Sequence, residues 1–138
     1  MPSAVYGQQP VKLEGVTLGG TIAVTDVYKF VKFSATEPQV VLCAAVTDIP
    51  CGVIQAPGSA GDPAEVVACG LTQLRQDGTI TAPGQLIGTG ATALGAKYVA
   101  GTDTTKYIVG QSKRLAGGTA SGNFIEAAIN CLNPTRGA

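Results

Sequence analysis

The sequence contains no histidine. Serine and cysteine nucleophiles are commonly activated by a neighbouring histidine, and histidine is the commonest metal ligand in proteins. Its absence excludes Ser-His-Asp and Cys-His catalytic arrangements and every histidine-based metal site. The acidic residues fall mostly at expected strand ends and turns, where solvated carboxylates are the better interpretation than an acid and base pair. We therefore expect a protein that is not an enzyme and that has no catalytic residues, cofactor or metal.

Charged residues are also scarce, at 13% of the sequence, roughly half of the ~25% that is usual in soluble domains. Nine basic residues balance nine acidic ones without clustering, which makes nucleic acid and anionic membranes poor partners. Lys29 and Lys32 beside Phe30 and Phe33 indicate an amphipathic strand, not a nucleic-acid platform. A surface with so few charges favours association, so we expect part of it to be buried against neighbours.

Long apolar runs and tryptophan are missing as well. No stretch approaches the ~18 apolar residues of a transmembrane helix, and the start MPSAVYGQQP lacks both the basic region and the apolar run of a signal peptide. We expect a protein that is made and kept soluble outside the secretory route. Aromatic residues make up only 5% of the chain, which disfavours the alternative of a small-ligand-binding β-barrel module.

The sequence does contain many short β-like runs. Nineteen glycines and eight prolines separate segments rich in Val, Ile, Thr and Tyr, and no window of twelve residues has a helical apolar period. These patterns predict one all-β domain with little helix, and Asp77-Gly78 in LRQDGTIT is the clearest expected hairpin tip. The expected strands are Gly20–Val24, Tyr28–Phe33, Val40–Val46, Gly52–Gln55, Glu65–Leu71, Gln85–Gly88, Lys97–Ala100, Tyr107–Gln111 and Phe124–Leu132.

The first fifteen residues, MPSAVYGQQPVKLEG, differ from the rest of the chain because they carry two prolines and two glutamines and no sustained apolar pattern. We interpret residues 1–15 as an extended N-terminal arm and residues 16–138 as a single β-rich domain. The apolar side chains of the arm, Val5, Tyr6, Val11 and Leu13, are its expected contacts with a partner or an adjacent copy, which it could join as an added strand. Removing residues 1–14 should then leave the fold intact.

The four cysteines, Cys43, Cys51, Cys69 and Cys131, lie in or beside apolar runs and form no CxxC pair. We expect buried, reduced thiols that pack as small hydrophobic side chains. A disulfide between Cys43 and Cys51 is the alternative. A reactive thiol at Cys51 would be the best candidate if the chain were an enzyme after all.

Glu65 opens one expected strand, and Glu126 lies close to the start of another. They could contact Arg75, Arg114 or Arg136 of a neighbouring copy, while the alternative is that they are ordinary surface acids.

The order of these pieces resembles the capsid cement or head decoration proteins of tailed bacteriophages. The likeness covers roughly residues 48–132 and rests on four segments: Gly52-Val53, Val66 to Gly70, Pro83-Gly84-Gln85-Leu86, and Val109-Gly110 through Gly118. The sequence departs from that family in its four cysteines and in the forty or so residues that precede the match.

The resemblance implies a small β-barrel or β-tulip-like domain on the outer capsid surface of a virion, made in the host cytoplasm. It implies that the chain binds the major capsid protein, bridges and stabilises capsomers, and forms homotrimers. In that setting the contacts with capsid or neighbouring subunits are expected at Val5, Tyr6, Val11, Leu13, Glu65, Arg75, Arg114 and Glu126. The alternative is another virion β-domain, such as a head fibre base or a tail-associated protein.

Overall fold

The computed structural model describes residues 10–115 and 117–136, and these form twelve strands and one short 3₁₀ turn, Val24–Asp26. The all-β class and the scarcity of helix are confirmed. The described part contains no apolar helix of membrane-spanning length. The strands are β1 Val11–Leu13, β2 Thr17–Leu18, β3 Phe30–Phe33, β4 Gln39–Leu42, β5 Gly52–Ile54, β6 Val66–Arg75, β7 Leu86–Thr89, β8 Gly95–Lys97, β9 Tyr107–Ile108, β10 Gly110–Arg114, β11 Phe124–Asn130 and β12 Thr135–Arg136.

Ten of these strands form one open sheet in the order β2-β4-β3-β5-β6-β11-β10-β7-β8, with β1 paired to β6 outside this path. Strands β9 and β12 form a separate pair. Across residues 10–115 and 117–136 the strands therefore do not close into the barrel that the sequence analysis allowed. All pairs in the large sheet are antiparallel except β2 with β4, which is parallel.

Parts of the central strands are buried on both faces. Successive residues of a strand point to opposite faces of the sheet, and both members of three such pairs are fully or almost fully buried: Phe30 and Val31 in β3, Val53 and Ile54 in β5, and Val66 and Val67 in β6. This double burial explains why these parts of the strands are continuously apolar and do not alternate. One residue of each pair, Phe30, Val53 and Val67, joins a first core cluster, and the other, Val31, Ile54 and Val66, joins a second.

Several expected strands are confirmed with shifted ends, while the expected strand Gly20–Val24 is wrong. There Ile22 makes only an isolated bridge to Gly58 before the 3₁₀ turn begins. The hairpin at Asp77-Gly78 is also wrong as a pairing, since β11 and β10 lie between β6 and β7. The turn itself exists: Gly78 has a φ of 98°, a value that favours glycine.

The chain beyond this turn enters the core as an irregular segment. The buried Gln76 side chain accepts a hydrogen bond from the Ile80 amide (2.9 Å) and donates one to the Gly118 carbonyl (3.0 Å). Ile80 is fully buried. The Asp77-Gly78 sequence thus predicts the turn correctly, but it does not predict which strand pairs with β6.

Part of the expected arm belongs to the sheet. Within β1, Val11, Lys12 and Leu13 pair with Cys69, Val67 and Val66 of the same chain, and Leu13 packs against the second core cluster. Deleting residues 1–14 would remove this strand, so we now expect such a deletion to destabilise the fold. Val5 and Tyr6 lie outside the described residues.

The close approach of β5 to β6 requires glycine at position 52. A Cβ there would collide with Val66 Cγ1 and would lie 2.5 Å from the Val67 carbonyl oxygen. We expect Gly52→Ala to lower the free energy of unfolding by about 1–3 kcal/mol, because the strands must separate to admit the methyl group. Urea unfolding measures this, and Gly20→Ala is the matched control, since a Cβ at Gly20 meets nothing within 4 Å. Equal stability of the two variants would contradict the prediction.

Candidate functional site

Arg75, an expected intermolecular contact, is engaged within its own chain. Its Nε donates a hydrogen bond to the Val27 carbonyl (2.8 Å) and its Nη1 to the Gly122 carbonyl (3.3 Å). The guanidinium carbon lies 4.3 Å from the centre of the Phe124 ring, and Tyr28 packs edge-on against the same ring with centroids 5.5 Å apart. Arg75 therefore ties the chain before β3 to the start of β11, and a cation–π contact adds to its hydrogen bonds.

The other expected charged contacts also have partners in the chain. Glu126 lies opposite Arg114 in the β10–β11 ladder, and its carboxylate is 3.6 Å from Arg114 Nη1 and 3.4 Å from Lys113 Nζ. Glu65 pairs with Lys12, and both side chains are about half exposed. Such exposed pairs contribute little to stability. Whether these residues also contact a capsid or a second subunit stays a prediction.

An exposed aromatic ridge is the feature that sequence reasoning missed. Phe33 ends β3 with 60% of its surface exposed, although strict alternation from the buried Val31 would place it in the second core cluster. A groove lies on each side of it. The first, about 460 Å³ in volume, is here named the Ile49 groove; its walls include Lys32, Phe33, Ile49, Pro50, Cys51 and Cys131. The second, about 480 Å³, is named the Pro38 groove; its walls include Glu14, Val16, Phe33, Glu37 and Pro38.

Asp48 shapes the loop that forms one wall of the Ile49 groove. Its carboxylate accepts hydrogen bonds from the Ala44 amide (2.7 Å) and the Ala45 amide (2.9 Å), and it lies 3.0 Å from Lys32 Nζ. Burial alone would raise the pKa of Asp48, but these two hydrogen bonds and the Lys32 ammonium outweigh it and hold the pKa below its ordinary value. The ionised carboxylate is thus part of the folded loop.

The cysteines bordering the groove are unsuited to nucleophilic chemistry. Burial raises the pKa of Cys51 to about 12, and burial also raises the pKa of Cys131. A thiol that stays protonated at neutral pH is a poor nucleophile. All four cysteines are free, and Cys43, Cys51 and Cys131 are buried while Cys69 is half-buried. The expectation of reduced, packed thiols is confirmed for the first three, and the Cys43–Cys51 disulfide is not formed.

Among residues 10–115 and 117–136, no three side chains of the Cys, Asp and Glu types cluster in a way that could hold a metal ion. Within the same residues, every buried side-chain nitrogen and oxygen has a hydrogen-bond partner. The described residues thus form no metal site, and the features of their surface that are suited to binding are the Ile49 and Pro38 grooves and the exposed apolar side chains.

Comparison with known proteins gives a structural likeness only. No protein-family model matches the chain, and no curated protein matches its sequence. The fold is similar to a solved structure described as the N base of the head fiber gp8.5 in bacteriophage phi29. The TM-score is 0.61 with 16% sequence identity, over 89% of this chain and 96% of that one. At this identity the likeness shows a shared fold.

Arg75 provides one test of the intramolecular assignment. We expect Arg75→Ala to lower the free energy of unfolding by about 2 kcal/mol, because it removes charge-assisted hydrogen bonds and the contact with Phe124. Arg114→Ala is the matched control, with a side chain that is 71% exposed and an expected effect below about 0.5 kcal/mol. Denaturant unfolding of both variants measures the difference, and a neutral Arg75→Ala would contradict the assignment.

Asp48 predicts a pH dependence. Its pKa is lower in the folded chain than the ordinary 3.8, so its stabilising contribution is complete above that value and is lost as the pH falls through the folded-state pKa. We expect stability to decline as the pH falls below about 4, and to decline less steeply in Asp48→Asn. Urea midpoints across this range measure both slopes, and identical slopes would show that Asp48 is not responsible.

Proposed function

We propose that this chain is a non-enzymatic structural β-domain of a bacteriophage virion, and that it attaches to the head as the base of a fibre. One observation carries the proposal: the fold matches a head fibre base along nearly the whole of both chains, 89% of this one and 96% of that one. A match of that extent involves the complete domain, not one shared motif. It favours the head fibre base, an alternative at the sequence level, over the cement role.

The chemistry of the described surface supports a binding role. The thiols at the Ile49 groove are held protonated, and several large apolar side chains stand exposed, including Phe33, Ile49, Leu71 and Leu132. Exposed apolar surface of this kind is common at protein–protein contacts. The proposed partner is the major capsid protein on the outer surface of the head, while the even charge balance argues against nucleic acid and anionic membrane.

Val11 is the best placed of the expected contact residues. It lies in β1 opposite Cys69 and has 49% of its surface exposed, while Leu71, two residues farther along β6, is 53% exposed. Substituting Val11 with a polar residue would remove apolar contact area without disturbing the core. Arg75 is the least suited, because its hydrogen bonds are already directed into its own chain.

A cement role remains the second candidate, and the composition favours it. Only 13% of residues are charged, which suits a domain whose surface is permanently packed against neighbouring subunits. A cement protein would bridge capsomers, so that parting them also breaks its own contacts. Assembly as a homotrimer, which we propose on the same ground, would make attachment multivalent and its release slow.

Binding to isolated heads tests both candidates. We expect the purified chain to co-sediment saturably with heads of its source virus that lack the protein. We expect Val11→Ser to weaken this binding by about tenfold, equivalent to about 1.4 kcal/mol of lost apolar contact. The matched control is Val24→Ser, which changes a valine that is 74% exposed in the 3₁₀ turn.

The temperature at which the heads rupture separates the two candidates. Binding that leaves this temperature unchanged supports the fibre base, and binding that raises it supports cement. Absence of saturable binding would overturn both in favour of a tail location. Sedimentation equilibrium of the free chain measures whether it is a trimer before attachment.

A further inference from the structure

The Pro38 groove lies where three strands of the sheet begin or end. Phe33 is the last residue of β3, and it is 60% exposed. The parallel pairing of β2 with β4 aligns Thr17 with Gln39, so the residues that precede these two strands lie at the same end of the sheet. Glu14 and Glu37 are among them, and both line the groove. The sheet topology thus brings an exposed aromatic ring and two acidic side chains to one opening.

The walls of this groove are held by hydrogen bonds of the backbone. The Thr17 amide donates to the Pro38 carbonyl (3.1 Å), and the Ser34 amide donates to the Gln39 carbonyl (2.9 Å). Val16, a further wall residue, packs against the second core cluster. The groove, about 480 Å³ in volume, is therefore formed in the free chain, and a bound group would not have to order its walls.

The carboxylates of Glu14 and Glu37 differ from the other acidic groups of the chain. Five of the nine acidic residues form ion pairs within the chain, namely Asp26, Asp48, Glu65, Asp103 and Glu126. Asp62 and Asp77 accept hydrogen bonds from amides of their own turns. Glu14 and Glu37 are the remaining two, and they have neither kind of contact with residues 10–115 and 117–136. Two unpaired negative charges therefore line one groove of a chain whose net charge is zero.

The chemistry of the Pro38 groove selects a cation with a flat face. Two carboxylates attract positive charge, and the face of the exposed Phe33 ring adds a cation–π contact. A guanidinium group satisfies both, because it stacks on aromatic rings and donates paired hydrogen bonds to carboxylates, whereas a lysine ammonium is a strongly hydrated point charge. The Ile49 groove has no such preference, since Lys32 and Asp48 on its wall already pair with each other at 3.0 Å.

We propose that the Pro38 groove is a docking site for an arginine side chain of a partner protein. The guanidinium lies against the Phe33 ring and pairs with the carboxylates of Glu14 and Glu37. The same chain already contains an arrangement of this kind, because the guanidinium carbon of Arg75 lies 4.3 Å from the centre of the Phe124 ring. The inference rests on the groove alone and is independent of the proposed function.

A peptide titration tests the site without any virion part. The probe is a blocked pentapeptide with one central arginine flanked by glycines, added to the nitrogen-15-labelled full chain and followed by NMR. We expect saturable shifts confined to amides of the groove, such as those of Val16, Ser34 and Gln39. A peptide with citrulline in place of arginine should bind at least about tenfold more weakly, because it lacks the charge.

Substitutions on the protein side locate the contact. Glu14→Gln/Glu37→Gln should weaken binding of the arginine peptide at least about tenfold, and Phe33→Leu about threefold. The matched control is Glu65→Gln/Glu126→Gln, which changes the net charge equally outside the groove and should leave the affinity unchanged. All these side chains are partly or largely exposed, and unchanged amide shifts in the core clusters would verify that each variant is folded.

Four outcomes would overturn the proposal. These are the absence of saturable shifts, shifts spread over the surface, equal binding of the citrulline peptide, and equal weakening by the control pair. A lysine peptide that binds as tightly would overturn the choice of arginine. Shifts of the same amides when the chain alone is diluted would overturn the assignment to a partner, in favour of a second copy that presents Arg114, whose side chain is 71% exposed.

Discussion

Strand β6 is the element on which the arrangement of the sheet depends. Its ten residues pair with β5 and β1 near its beginning and with β11 along the rest, so it joins the N-terminal and C-terminal halves of the sheet. Buried valines at positions 66 and 67 point to opposite faces, and each belongs to a different core cluster. Both core clusters therefore pack against β6, and a substitution that disturbs the packing of this strand affects both clusters.

The sequence contained enough information for the fold class and for most of the central strands. Runs such as those around Val31, Val53 and Val67 are apolar throughout because both faces of the sheet are covered, and such runs stand out against glycine and proline. The pairing of the strands was not contained in local signals. Asp77-Gly78 forms a turn, but the chain beyond it is drawn into the core by Gln76 and Ile80, and this depends on residues more than forty positions away, such as Gly118.

The candidate site was harder to foresee for a related reason. The alternation of a strand predicts which face of the sheet a side chain points to. Its exposure also depends on whether other residues cover that face, and at Phe33 the second core cluster no longer covers it. The charged residues chosen from the sequence illustrate the same limit. Glu126 and Arg114 are cross-strand neighbours, and the guanidinium of Arg75 is held by backbone carbonyls more than forty residues away, relationships that only the register of the sheet reveals.

The openness of the large sheet has a consequence for behaviour at high local concentration. An open sheet has end strands with unpaired backbone groups, onto which further chains can add without limit. Here the two ends, β2 and β8, are only two and three residues long, and their outer edges are already partly paired within the chain, because Thr17 bridges Pro63 and Gly95 bridges Gln76. Such short, partly paired ends leave too few free backbone groups to add further strands. Copies of such a domain can be crowded side by side without their sheets joining edge to edge.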